Sequence, residues 1–573
     1  MTKPSLLLCI IVIALANLTG SFAQDQTPIP TLAVPTLVPT VDNGAPPKTL
    51  STQSALADII RSAVLRVGVL YNEPPYSEFT PQGNLRGFDI ELMRLIANLW
   101  DTDIEFVQVT RENALAKLNR AEVDVLASAF VHYRDLDDQL EFSQTYWIGR
   151  QAMLVRAESP YEALSELGSQ PVGYVIGTRS EMALSLWNAS LDASLNLRRY
   201  WNLDLAFAAL DRGEIMGLVA EEQALQGLTA DYADRFRILD EAVAPEPRAL
   251  AIRRHDIALR HLLDHSIQLL AEDGSLQRLV QEYFPENDSP AYTVTLWDGL
   301  GESINPAQYA GELRYPARYI LPRLARSAVL RVGGIEDGAQ ASSAGQAQLA
   351  ALNASLVREF GNRWGVTIEV VRSTAEEAAD LLVKGEIDIV AGIKPDWRLA
   401  PSMDFSAPYL LHGDRLMAPS RSQIRGFNDL RGRIIGVIIG DEGARDRAQA
   451  WADSINASVR FFRTTEAGAD NTLMEFNNAH AIYADSLLLV AHLQANPNAL
   501  RLTERWYSRS YYSFGLPYND LDFRLLVNYT IQELVRDGTL QGLSGALLLS
   551  DELPDFEITP GAAVYAGISL LAP

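Results

Sequence analysis

The sequence predicts an α/β protein made of two tandem copies of one unit, each copy being two α/β lobes joined by a hinge. Three observations predict it. The octapeptide RSAVLRVG stands at 61–68 and again at 326–333. Beyond it the copies stay in step over more than two hundred residues: VDVLA at 123–127 answers IDIVA at 387–391, EFSQTY at 141–146 answers DFSAPY at 404–409, and IQLLAEDGSLQRL at 267–279 answers IQELVRDGTLQGL at 531–543. Matches at a nearly constant offset mark a duplicated domain, so the octapeptide opens each copy and is not a tag. Third, β-branched runs alternate with segments of helical period in both copies, the pattern of a parallel sheet covered on both faces.

Taken in order, VLRVGVL is a β-branched run bounded by turn residues, and Leu92, Leu95, Ile96 and Leu99 then recur at helical spacing. IEFVQV reads as a strand, 111–119 as helical and VDVLAS as a third strand. Copy two repeats the scheme, with Leu349, Leu352, Leu356 and Phe360 on its first helix. A second set follows a break in each copy: PVGYVIGTRSEMALSLW and RIIGVIIGDEGARDRAQAW each read as strand, turn and helix. Each copy then returns to a closing helix, DIALRHLLDHSIQLLAEDG or DLDFRLLVNYTIQELVRDG, where Asp-Gly stops the helix and Ser275 or Thr539 is placed to cap the next.

The ends are of another kind. Residues 1–23 carry Lys3, an apolar run from Leu6 to Ala16 and small residues at Ser21 and Ala23, the layout of a secretory signal peptide, with a membrane anchor as the alternative. Residues 24–49 are rich in proline and threonine, which suit an extended linker. The expected domains are 50–290 (lobe one about 60–150 and 250–285, lobe two about 151–249) and a diverged 326–550, with a connection at 291–325 and a tail at 551–573. Cys9, the one cysteine, lies inside the leader, so a processed chain has no disulfide and no thiolate metal site. The formal charge of -24 argues against a nucleic-acid partner, which needs clustered cations. No later stretch reaches the roughly 20 apolar residues of a membrane span. Basic residues are nearly all arginine, with lysine only at 3, 48, 117, 384 and 394.

In copy one the segments LRVGVLYNEPPYSEFTPQGNLRGFDIELMRLIA, FVQVTRENALAKLNRAEVDVLASAF, LEFSQTYW, GYVIGT and EDGSLQRLVQEYF follow one another in a familiar order. They resemble the family 3 solute-binding proteins, the extracytoplasmic receptors of polar amino-acid ABC transporters. The resemblance implies tandem type II periplasmic-binding-protein-like domains, a small polar solute held between the lobes by hinge closure, and an ABC permease as candidate partner. It implies an extracytoplasmic location, periplasmic or secreted, and no cofactor. It also implies site residues: Tyr76 as stacking aromatic, the AFVHYRDL loop with Phe130 and Arg134 as carboxylate grip, Gly177 and Thr178 as backbone donors at a helix start, and Glu221 for an ammonium.

The departures bear on the ligand. Counted from Asp124, the family's arginine position falls on Leu136, two residues after Arg134, and Arg111 stands where a second stacking aromatic is common. Copy two replaces NEPPYSEFTPQG with EDGAQASSAG, which removes the aromatic platform. It keeps Arg398 and Asp485 and puts Asp441 after Gly440 in place of threonine. Copy one is therefore expected to take an amino-acid-like solute or other small anion, and copy two something different or nothing. His261 and His265 in HLLDH have i, i+4 spacing but no evident third ligand, and the plainer reading is a surface-packed return helix. An enzyme is not expected: relatives of this fold include dehydratases, but no catalytic set stands out. The rival class is a sensory or structural ectodomain.

Overall fold

The computed structural model describes residues 54–127, 130–190, 195–285, 293–301, 303–310, 313–316, 318–337, 341, 344–439, 443–463 and 479–548. The expected leader, linker and tail, and the Gly440–Asp441 pair, lie outside the described residues.

The repeated octapeptide recurs because it spells one set of contacts. Arg61 and Ser62 finish the helix Ala55–Ser62, Ala63 stops it at φ 52°, and the strand Val64–Val69 begins. In copy two the helix Ile320–Ser327 ends at Ala328, φ 50°, and the strand Val329–Ile335 follows. The arginine in each strand reaches a buried aspartate of the next sheet neighbour: Arg66 to Asp124 at 2.7 Å and Arg331 to Asp388 at 2.8 Å. The amide of the same arginine donates to the same carboxylate in both copies. The opening helices are held alike, with Ala55 N donating to Asp256 at 2.7 Å and Ile320 N to Asp520 at 2.8 Å.

Each copy contains two mixed sheets. Lobe one of copy one runs Asp103–Gln108, Val64–Val69, Val125–Leu126, Ala251–Arg253 and Leu140–Phe142, and lobe two runs Asn196–Tyr200, Pro171–Val175, Gly217–Glu221, Trp147–Arg156 and Phe236–Ile238. Copy two repeats both orders: Thr367–Arg372, Val329–Ile335, Ile389–Ile393, Ser510–Pro517 and Met403–Phe405, then Ser458–Arg463, Ile434–Ile439, Ala481–Asp485, Asp414–Pro419 and Leu500–Leu502. In each sheet the central strands pair in parallel and the strands nearest the hinge antiparallel, because the chain crosses between lobes twice and must return. Copy one adds a small sheet of Asn72–Glu73, Ser77–Phe79 and Leu85–Arg86, in the segment that copy two replaces, and among the described residues copy two has no counterpart of it.

Two local expectations change. Ser275 and Thr539 are the first residues of the last helices and not their caps. Asp273 and Asp537, two residues back, accept from their amides at 2.7 and 3.0 Å, where a carboxylate suits a helix start. The closing helix Ile257–Glu272 is not a surface helix either: 14 of its 16 residues are buried, all round its circumference. One side covers lobe one of copy one, and the other meets copy two.

That contact is reciprocal. Glu141 accepts from Arg524 of copy two (2.7 Å) and Asp404 accepts from Arg260 of copy one (2.7 Å), while each acid also forms an ion pair with the arginine of its own copy, Glu141 with Arg260 at 3.1 Å and Asp404 with Arg524 at 3.3 Å. The two acids hold equivalent places in the copies, and so do the two arginines. The copies are thus joined as an isologous pair, as two subunits about a twofold would be.

Candidate functional site

In copy one the site is assembled at the ends of strands from both lobes. Gly87, at φ 139°, precedes the helix Phe88–Leu99, and a Cβ there would lie 2.2 Å from the Tyr76 carbonyl oxygen. The close approach lets Phe88 N donate to Pro75 O (2.9 Å) and Asp89 N to Tyr76 O (3.1 Å), which fixes the Tyr76 backbone. Its ring, expected to stack on a solute, is instead only 1 % exposed and belongs to the lobe-one core beside Phe284. Its other face is taken by Arg248, whose guanidinium carbon is 4.4 Å from the ring centre. Burial pushes the Tyr76 hydroxyl well above its ordinary pKa.

Around Arg248 lies a network of four charges. Arg248 Nη2 donates to Glu221 Oε1 (2.6 Å) and to Glu246 Oε2 (2.8 Å). Arg179, at the start of the helix Arg179–Ser190, donates to Glu221 Oε2 (2.6 Å) and Glu246 Oε1 (2.8 Å). Gln151 Nε2 donates to Glu246 Oε1 at 2.9 Å. Burial raises the Glu246 carboxyl, but Arg179 and Arg248 outweigh it and hold it below the ordinary range. Two cations and two anions can be buried together because each desolvated charge has an opposite charge bonded to it. Glu221, expected to take a solute ammonium, is therefore engaged by two guanidinium groups of its own chain.

The other copy-one residues are placed as follows. Arg111 pairs with Glu73 at 2.5 Å and is more than half exposed. The Phe130 ring packs against the apolar cluster of Val109, Leu118, Val123 and Phe142. Gly177 N donates to Glu181 Oε2 of the following helix (2.9 Å) and Thr178 Oγ1 to Val175 O at the end of the preceding strand (2.7 Å). Arg134 is a correction: it is 3 % exposed and lies in the joint between copies, its guanidinium 4.0 Å from the Tyr529 ring centre and bonded to Gln532. The two-residue displacement from the family's position carries it out of the cleft. His261 and His265 lie in the same joint: His265 stacks on Trp397 at 4.5 Å and its Nε2 is 2.6 Å from Leu300 O. Among the described residues no cluster of acids, histidines or cysteines could hold a metal ion.

Copy two differs where the cleft matters. Arg248 has its counterpart in Tyr512, whose ring stacks on His412 at 4.6 Å. His412 Nδ1 is 2.8 Å from Asp485 Oδ2. Burial raises the Asp485 carboxyl, but His412 more than offsets it and holds it low. Beside Tyr512 lies a cavity of about 600 Å³, lined by Gly334, Glu336, Gln346, Gly392, Lys394 and Arg398 among others. Its lining comes from the lobe of copy two that carries the strands Val329–Ile335 and Ile389–Ile393, with Asp298 from the connection, and it opens at the C-terminal ends of those strands, where α/β sheets usually bind ligands. Arg398 reaches the rim, but its side chain is 77 % exposed and its guanidinium is held by Asp396 in the same loop at 2.5 Å. A separate cavity of about 180 Å³, lined by residues such as Ser143, Asp264, Ser406 and Asn528, lies between the copies and belongs to neither cleft.

Arg179, Glu246, Arg248 and Lys394 are the functional candidates the sequence reading missed. A signal existed for three of them: Glu246 and Arg248 stand two apart in APEPRALAI, hence on one face of a strand entering the hinge. Lys394 is one of only five lysines.

Two lobes of this strand order, joined by two crossings and carrying an acid at the end of the same lobe-two strand, define a solute-binding fold, here in duplicate. The chain belongs to the bacterial extracellular solute-binding proteins, family 3, whose model matches residues 65–286 and 330–546. It is similar to the glutamine-binding protein of Geobacillus stearothermophilus, 25 % identical over 210 residues, 36 % of this chain and 79 % of that protein. It is also similar to the L-cystine-binding protein TcyJ of Escherichia coli strain K12, 23 % identical over 239 residues, 41 % of this chain and 88 % of that one. Among solved structures, a substrate-binding protein of an ABC uptake transporter from Streptococcus pneumoniae with bound histidine matches at 17 % identity and a TM-score of 0.36, over 41 % of this chain and 98 % of the other. Among the described residues no helix is long and apolar enough to cross a membrane.

Proposed function

We propose that this chain is an extracytoplasmic solute-binding protein that takes a small zwitterion with additional positive charge into the cavity on the first lobe of copy two, over which hinge closure would bring the second lobe. An ABC permease is the candidate recipient. The observation that carries the reading is the charge around the second cavity. Asp298, Glu336, Glu376, Asp380 and Asp396 line it against Lys394 and Arg398, and Asp396 already pairs with Arg398. Among the described residues Lys394 has no carboxylate within 4.0 Å: its ammonium lies 5.7 Å from the Tyr512 ring centre and acts on Asp485 only at longer range, which supports it as the group that meets a solute carboxylate, while the surplus acids suit cationic groups. The volume suits a small molecule. Amino-acid specificity and a binding role are supported by the relatives, whose names record glutamine and cystine binding. Export is supported by the leader-like residues 1–23 and by the family's extracellular description.

The test is a thermal-shift panel of amino acids and polyamines on the full chain, with mass spectrometry of solute carried by gently purified protein. Basic amino acids are expected to raise the melting temperature, and Lys394→Met to weaken them about tenfold, or about 1.4 kcal/mol. If nothing in the panel acts and nothing is carried, the rival reading as a sensory or structural ectodomain replaces this one; its support is the filled state of the first cleft.

A further inference from the structure

We infer that the first cleft is a guanidinium site whose permanent occupant is the chain's own Arg248. Tyr76 comes from lobe one and Glu221 from lobe two, the two groups placed to grip a solute from opposite sides. Both grip Arg248 instead, the ring from 4.4 Å and the carboxylate at 2.6 Å. An aromatic face with an opposed carboxylate is what an organic cation asks for. Arg248 is fully buried. It ends the strand Ala244–Arg248, immediately before the second crossing, so this cation is tethered at the hinge itself.

The rest of the network completes the occupancy. Glu246, also fully buried, takes the same Nη2 at 2.8 Å, and Arg179 takes the remaining oxygen of each carboxylate. Tyr133 of the lobe-one loop places its hydroxyl 3.5 Å from Glu246. One internal cation thus does what a bound solute does in closing two lobes: it contacts both of them and favours the closed form. A tethered group has a high effective concentration, against which a free cation competes poorly. Copy two carries Tyr512 at the corresponding place and so has no arginine there to act as such an occupant. The inference is independent of the solute proposed for the second cleft, and its test reads copy one alone.

The experiment is a chemical complementation on the full chain. Arg248→Ala removes an ethylguanidinium fragment. The variant is expected to melt several degrees below the parent and to recover at least half of that loss, saturably, in about 10 mM ethylguanidinium. Ethylammonium and sodium chloride at the same concentration should give little recovery, and adding Tyr76→Leu should abolish it. A folded Arg248→Ala protein indifferent to ethylguanidinium, or equally rescued by ethylammonium, overturns the proposal. A second measurement leaves Arg248 in place: spin labels at Gln108→Cys and Trp201→Cys, in a Cys9→Ser background, report the distance between the lobes of copy one. One narrow distance unchanged by about 10 mM arginine is expected. A shift of that distance on adding arginine shows a cleft awaiting an external ligand and overturns the proposal even where Arg248→Ala fails to fold.

Discussion

Replacing Arg524 by methionine removes one of the two guanidinium groups that join the copies. In the parent, Arg524 serves Glu141 at 2.7 Å and Asp404 at 3.3 Å, and Arg260 serves the same acids at 3.1 and 2.7 Å. All four side chains are between 3 and 12 % exposed, and the cluster is neutral, two charges against two. The variant leaves two buried carboxylates around one arginine. Breaking a buried pair by removing one partner costs about 3–5 kcal/mol, and Arg260, still bridging both acids, puts the expectation at about 3 kcal/mol. Adding Glu141→Gln restores neutrality and keeps an acceptor for His255 N, which donates to Glu141 at 3.1 Å. The double variant should therefore be more stable than the sum of the singles by about 1–3 kcal/mol. Urea unfolding followed by tryptophan fluorescence measures this, since Trp297 and Trp397 lie 4.4 Å apart in the joint. Burial raises the Asp404 carboxyl, but Arg260 and Arg524 outweigh it and hold it far below the ordinary range. Its contribution is thus present above the unfolded value near 4 and lost as pH falls, so the gap between parent and variant should narrow below about pH 4. A loss under about 1 kcal/mol, or additive singles, would refute the account of the joint.

Further outcomes follow from other positions. Asp264, buried in the same joint, is pushed up to about 7 by burial, which Arg260 only partly offsets. Its folded form binds a proton that the unfolded form releases near 4, so stability should decline as pH rises from about 4 to about 7, and Asp264→Asn should flatten that decline in melting curves taken across the range. A Cβ on Gly345 would lie 1.9 Å from Leu487 O, where the first helix of copy two meets the helix Ser486–Ala495 of its other lobe. Gly345→Ala should therefore hold the second cleft ajar and weaken solute binding by at least about tenfold in calorimetry, leaving copy one's response to Arg248 variants unchanged. Unaltered affinity would show that these helices need not touch for capture.

What the sequence determined by itself was everything carried by local pattern and by repetition. The duplication, the opening strands, the two-lobe layout and the acid at the end of GLVAE or AIYAD depend on residues within a turn or a strand of one another, and the copies confirm each other. Tertiary structure decided which charged groups meet. Arg134 was read as a cleft residue from its loop, but its partner Gln532 is 398 residues away in the other copy. Tyr76 and Glu221 were read as solute-binding groups, yet both are taken by Arg248, which is carried on a strand that local pattern marks only as alternating charge. HLLDH looked like the solvent side of a helix because its polar residues face a second polar surface, and only the packing of copy on copy turns that side into an interior. The reason is physical: periodicity reports whether a side chain points toward its own sheet, whereas ion pairing between distant segments depends on where the chain brings them, and the strength of such a pair depends on burial that no local pattern records.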